Sequence, residues 1–177
     1  SAGDVNGDGY GDVIIGAFRD NSNDPSISSG SAYIFFGGIT GNKTARTDAD
    51  VILDGQTTGD RFGHAVASAG DYNGDGKGDV IVAAGLADNN STTDSGSAFI
   101  FFGGITGIKT ADADADVILN GQSDSDNFGN SQETNSQIGN SLGAGDFNGD
   151  GTSDVIVGAS EDDNNSENRS GSAFVFF

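Results

Sequence analysis

Apolar residues fall in short runs of three to five, separated by longer polar stretches rich in glycine. Val13-Ile14-Ile15, Val80-Ile81-Val82 and Val155-Ile156-Val157 are β-branched triplets. Ala32-Tyr33-Ile34-Phe35-Phe36 and Ala98-Phe99-Ile100-Phe101-Phe102 are aromatic runs, and Val51-Ile52-Leu53 and Val117-Ile118-Leu119 form a third set. Runs of this length and composition, bounded by Gly, Asp, Asn and Ser, predict β-strands. Strict apolar–polar alternation is incomplete in them, as expected for strands covered on both faces, so the aromatics are expected in the core.

The runs repeat. Ser29-Gly-Ser-Ala-Tyr-Ile-Phe-Phe-Gly-Gly-Ile-Thr-Gly41 returns 66 positions later at Ser95 with Phe for Tyr, and a third copy opens at Ser170 and reaches Phe177. Phe62-Gly63 returns as Phe128-Gly129, after which the stretch to the next shared motif is nine residues longer and contains Gln132-Glu-Thr-Asn135, read as a surface loop. One unit holds four strands: one after Phe-Gly, the Val-Ile-Val strand, the aromatic strand and the Val-Ile-Leu strand. Four strands at this period predict β-propeller blades.

Between the first two strands lies the candidate chemistry. Asp4-Val-Asn6-Gly-Asp8-Gly-Tyr10-Gly-Asp12 recurs as Asp71-Tyr-Asn73-Gly-Asp75-Gly-Lys77-Gly-Asp79 and as Asp146-Phe-Asn148-Gly-Asp150-Gly-Thr152-Ser-Asp154. Oxygen side chains occupy positions 1, 3, 5 and 9. Calcium is a hard cation that takes six to eight oxygens, and a tight loop turns alternate side chains inward toward one. Gly9, Gly76 and Gly151 at position 6 allow the positive φ of the sharp turn. The backbone carbonyls of Tyr10, Lys77 and Thr152 at position 7 supply a further oxygen, leaving those side chains irrelevant to the metal. An EF-hand would need a bidentate Glu at position 12, where this chain has Ile15, Val82 and Val157, so each loop joins strands and not helices. Three Ca2+ sites are expected.

Composition narrows the partners. The chain of 177 residues carries a net charge of −20, with 30 Gly, one Pro and no Cys, Met or Trp. Such a negative surface repels phosphates and argues against nucleic acid. No apolar stretch is long enough to enter a membrane as a helix. Calcium sites with this few ligands fill near millimolar calcium, which places the chain outside the cell, secreted or at the surface, with metal replacing disulfides as the loop staple. Sequons at Asn42, Asn89, Asn90, Asn164 and Asn168 are expected by chance in a chain this rich in Asn, Ser and Thr.

These features resemble the FG-GAP repeats of the integrin alpha-subunit β-propeller, over essentially the whole chain. Phe62-Gly63 and Phe128-Gly129 match the FG element, and Gly16-Ala17 and Gly158-Ala159 match the start of GAP. Phe18 and Ser160 replace its Pro, and the middle copy reads Ala83-Ala84-Gly85. The resemblance implies an all-β fold: blades of four antiparallel strands in a seven-bladed propeller, with calcium in hairpins opposite the ligand-binding loops. Residues 1–55 are then a blade without its first strand, since Ser1-Ala-Gly-Asp4 aligns with Ser68-Ala-Gly-Asp71. Residues 56–121 make a complete blade, and 122–177 a blade with the nine-residue insertion and no last strand. About two and a half blades imply either a segment of a longer propeller or copies that complete one another, because open blade edges are pairing templates.

No catalytic constellation emerges. Gly139-Asn-Ser141-Leu-Gly143 has the spacing of a nucleophile elbow but leads into a metal loop and a strand where a helix is required. His64 reads as a packed or surface residue. The Gly-x-Gly segments precede strands, so they are no dinucleotide fingerprint. Acids outside the loops, such as Asp112, Asp114, Asp116, Glu161, Asp162 and Asp163, lie in polar runs. The sequence therefore predicts a non-enzymatic, calcium-stabilised adhesion or interaction module. Its partner is a protein or glycan held by loops 18–30, 85–95 and 160–170. The alternatives are a surface filament or layer built from copies of the chain, and the non-catalytic propeller of a larger secreted hydrolase.

Overall fold

The structure, a computed structural model, describes residues 1–21, 28–89, 92–126, 128–129, 141–162 and 170–177. Three sheets account for eleven strands. The first orders β1 (Val13–Ala17), β2 (Ser31–Phe35), β3 (Val51–Asp54) and β7 (Gly107–Thr110). The second orders β4 (Phe62–Gly70), β5 (Asp79–Ala84), β6 (Ser97–Phe101) and β8 (Val117–Asn120), all antiparallel. The third is β11 (Ser172–Phe176), β10 (Asp154–Ala159) and β9 (Leu142–Gly145). Register repeats between units: Ile14 faces Ile34, Ile81 faces Ile100, and Ile156 faces Val175. These are FG-GAP-type propeller blades.

Burial follows from stacking. In the central sheet every residue of β5 and β6 is buried, because the first sheet covers one face and the third covers the other. Ile34, Leu53, Phe62, Val80, Val82 and Phe101 fill the first interface; Ile81, Ile100, Phe128, Leu142, Val155 and Val157 fill the second. The outer sheets lose that cover, and Val13 (47 %), Ile15 (47 %) and Val175 (40 %) are exposed, as is Ile118 (41 %) on the edge strand β8 of the central sheet.

The Phe-Gly pairs are the joints between blades. Phe62 N–H donates to Ser29 O at 2.9 Å, and Phe128 N–H to Ser95 O at 3.0 Å. Each backbone lies so close to the Ser-Gly-Ser segment of the blade before it that a Cβ on Gly30 would meet Phe62 O at 2.1 Å, and one on Gly96 would meet Phe128 O at 2.5 Å. The Phe62 ring then packs edge-on against Phe99 and Phe101, and Phe128 against Phe176. Gly16 and Gly158 lie within β1 and β10, and Ala83 within β5, so only Phe18, Gly85 and Ser160 occupy the turn where GAP has its Pro.

Two features differ from the sequence reading. The first sheet is completed on its outer edge by β7, which runs parallel to β3 with Ile52 opposite Ile108. Residues 107–110 read as loop because their pairing is with a strand far away in sequence. Single-turn helices α1 (Ala45–Asp48) and α2 (Ala111–Asp114) precede β3 and β8, each closed by an Asp accepting the N–H of Thr44 or Thr110. Among the described residues the third sheet has three strands. The insertion at 132–135 lies outside the described residues.

Corresponding positions diverge in charge. Arg46 on α1 pairs with both oxygens of Asp54 at 2.8 Å and with Asp20 at 3.2 Å, while Ser31 and Tyr33 hydroxyls donate to Asp20. The second unit has Asp112 and Asn120 at the places of Arg46 and Asp54. Burial, then the charges of Asp88 and Asp112, push the Asp60 carboxyl up to about 6. The folded chain therefore holds a proton there that the unfolded chain releases near pH 4, so stability falls as pH rises from about 4 to 6 and is level above. Asp60→Asn is expected to raise neutral-pH stability by about 1 kcal/mol, after discounting for partial solvent screening. Melts at pH 4 and pH 7 check this, and an equal gain at both would refute it.

Candidate metal centre

The three loops sit at one end of the sheets. Loop 1 (4–12) leads into β1, loop 2 (71–79) joins β4 to β5, and loop 3 (146–154) joins β9 to β10. Glycines at positions 4 and 6 have φ between +74° and +94° in all three copies, the left-handed backbone that the sharp turn requires.

The three loops share a set of hydrogen bonds. The position 1 carboxylate accepts N–H from positions 5 and 6: Asp8 and Gly9 to Asp4, Asp75 and Gly76 to Asp71, Asp150 and Gly151 to Asp146, at 2.8–3.1 Å. Asn6, Asn73 and Asn148 Oδ1 accept the position 5 N–H, and Asp8, Asp75 and Asp150 Oδ1 accept N–H from Tyr10, Lys77 and Thr152. These donors hold the Asp75 and Asp150 carboxyls below the usual carboxylate range, led by Lys77 N–H at Asp75 and by the Thr152 hydroxyl at Asp150. Burial pushes Asp79 up, against three backbone donors that pull it down.

Position 9 is a brace as well as a candidate ligand. Asp12 and Asp79 are buried and bind Val5 N–H and Tyr72 N–H inside the loop at 2.7 Å, and Gly37 N–H and Gly103 N–H beyond the aromatic strand at 2.7 Å. Asp154 binds Phe147 N–H likewise, while its buried Oδ1 has no hydrogen-bond partner. The Gly37 and Gly103 contacts were foreshadowed only by the recurrence of Phe-Phe-Gly-Gly in step with the loops.

The position 7 side chains pack on the loop before. The Lys77 stem runs over Gly7 and Gly104, and Thr152 Cγ2 over Gly74. Among the described residues, no three His, Cys, Asp or Glu side chains form a ready cluster, because the loop carboxylates turn to backbone N–H donors. No ion pair between described residues reaches those carboxylates either. The side-chain donors are thus all oxygen, with carboxylates at positions 1, 5 and 9, amide oxygens at position 3 and lone pairs beyond those the N–H groups use. That set fits a hard divalent cation and suits neither a soft metal nor an organic cofactor.

Other candidates place as follows. His64 packs edge-on to Phe18 at 5.2 Å. Ser141 leads into β9, not a helix. Asn89 Nδ2 is turned inward, donating to Gly96 O and Ser97 Oγ, which removes it as an exposed sequon. Asn90, Asn164, Asn168, Asp163, Gly139 and parts of loops 18–30, 85–95 and 160–170 lie outside the described residues.

Stacked four-stranded blades joined by Phe-Gly pairs and carrying an acidic loop in the first hairpin define a propeller-repeat protein. The chain belongs to the FG-GAP repeat family, whose model matches residues 1–35, 62–101 and 138–176. It is 30% identical over 163 residues to phosphatidylinositol-glycan-specific phospholipase D of Bos taurus, covering 90% of this chain and 18% of that protein. It is 33% identical over 162 residues to integrin alpha-5 of Xenopus laevis, covering 90% of this chain and 14% of the integrin. A shorter match, 42% over 85 residues, links it to integrin alpha-PS2 of Drosophila melanogaster. The chain thus spans less than a fifth of the length of these relatives. Among the described residues no helix is long and apolar enough to cross a membrane.

Proposed function

We propose that the chain is a calcium-stabilised extracellular interaction module without catalytic activity of its own. The observation that carries this reading is the threefold recurrence of one acidic loop, with a shared set of internal hydrogen bonds and, among the described residues, no ion pair to its carboxylates. In each loop the metal takes oxygens from positions 1, 3, 5 and 9 and the carbonyl of position 7, and rigidifies the hairpin that presents it. Protein or glycan ligands would meet loops at the other end of the blades, and integrin relatives favour adhesion. Residues 1–55, 56–121 and 122–177 act as the three units. Calcium titration by calorimetry tests it: three equivalents are expected, Asp8→Ala, Asp75→Ala and Asp150→Ala each losing one. Absence of binding at millimolar calcium would refute it.

A second reading, assembly through the open ends, is favoured by one cleft. Gly158, Gly171 and Ser172 repeat the joint that Gly16, Gly30 and Ser31 offer to Phe62-Gly63, and there they line a cavity of about 450 Å³ with Ser141 and Ser160. Another repeat, in a longer propeller or a neighbouring copy, would seat its Phe-Gly there. Sedimentation over a concentration series distinguishes a monomer from closed rings or fibres. The phospholipase relatives support a third arrangement, the propeller of a larger hydrolase.

A further inference from the structure

The three loops touch one another through a single recurring contact. Gly78 N–H, at position 8 of loop 2, donates to the carbonyl of Asp4, position 1 of loop 1, at 2.7 Å; Ser153 N–H, position 8 of loop 3, donates to the Asp71 carbonyl, position 1 of loop 2, at 3.0 Å. Asp71 N–H is also within 3.3 Å of Ser153 Oγ, and Gly104 N–H donates to Val5 O at 2.6 Å. The N–H of position 8 and the carbonyl of position 7 belong to one planar peptide unit. In the calcium reading that carbonyl is a ligand, so one rigid plane has a metal on its oxygen and the neighbouring loop's first ligand residue on its nitrogen.

We propose that Gly78 and Ser153 are positioning residues that couple the calcium sites, so that the loops fill as one array. This inference rests on the calcium reading. A cation on the Lys77 carbonyl polarises its peptide and strengthens the Gly78 N–H bond to Asp4, and hydrogen bonds in series reinforce each other. It also fixes the orientation of that plane, so loop 1 binds with less of its own ordering cost left to meet. Lys77 and Thr152, packed over Gly7 and Gly74, carry the same order through side chains. Coupling of this kind is reciprocal, and a factor of five or more between neighbours is within the usual range.

The fold supplies its own control. A Cβ on Gly78 would stand 2.8 Å from Asp4 N and 3.1 Å from Ala2 O, whereas one on Gly11, position 8 of loop 1, meets nothing within 4 Å. Neither has a left-handed φ, and neither side chain is a ligand. Calcium titrations followed at the loop glycine amides by NMR read each site separately. In the unaltered chain the loops are expected to fill together, with a Hill coefficient above about 1.5. Gly78→Ala is expected to weaken loop 1 by about tenfold and bring its Hill coefficient to about 1, while Gly11→Ala leaves both unchanged. Should Gly78→Ala not fold, Asp150→Ala, an exposed ligand change in loop 3, reads the other junction: loop 2 should weaken severalfold. Independent filling in the unaltered chain, Gly78→Ala matching Gly11→Ala, or loop 2 indifferent to Asp150→Ala overturns the coupling and leaves the calcium reading standing. Calcium shifts in no loop overturn both.

Discussion

Chelation of calcium by EDTA is expected to lower the melting temperature by roughly 10–15 °C. With millimolar calcium and a Kd of about 0.1 mM, each site contributes about 1.4 kcal/mol, or about 4 kcal/mol for three. In a domain of this size 1 kcal/mol moves the midpoint by about 2–4 °C. Two effects act together when the metal leaves. Nine loop carboxylates recover their mutual repulsion in a chain already at −20, and the hairpins lose the ligand that orders them. Magnesium should restore little of the loss, because it keeps its waters and demands a strict octahedron that a nine-residue loop with fixed backbone donors does not offer. A melt in which EDTA changes nothing would end the calcium proposal, since no other function is assigned to the three repeated acid sets.

The sequence showed the blades clearly where local pattern and tertiary demand agree. The β-branched and aromatic runs became β1, β5, β10 and β2, β6, β11 because their residue types suit strands and nothing local contradicts them, and the central pair, β5 and β6, is buried throughout. The turn geometry of the acidic loops was legible because their glycines and acids act within nine residues. What stayed hidden depends on residues far apart. β7 is a strand only because β3 offers it an edge, and position 9 of loops 1 and 2 has a second task only because Gly37 and Gly103 come within reach. Position 7 seemed free to vary from sequence, yet Lys77 and Thr152 each cover a glycine of the loop before. The Phe-Gly repeat was recognisable as a motif, but its reason, two backbones too close for a Cβ between them, is visible only in three dimensions.

That closeness sets the second large expectation: Gly63→Ala should cost about 3–5 kcal/mol. Gly63 has φ +83°, and a Cβ there would lie 2.2 Å from Ser31 O and 3.2 Å from Ala17 N, all backbone of the blade before. Left-handed backbone costs an alanine about 1–2 kcal/mol. Overpacking adds about 1–3 kcal/mol even where side chains can move aside, and here the obstacle is a carbonyl fixed in β2. Gly16 faces the same joint from the other side, its own missing Cβ 2.0 Å from Gly63 O, so neither backbone can retreat without opening the Phe62 pocket. Gly38 separates the two contributions: its φ is +76° but nothing lies within 4 Å, so Gly38→Ala should cost only the backbone share of about 1 kcal/mol. Urea unfolding of both variants in saturating calcium measures the difference. If Gly63→Ala were no less stable than Gly38→Ala, the Phe-Gly pair would be a conformational requirement alone, and the blades would be held together by side-chain burial without the tight backbone joint.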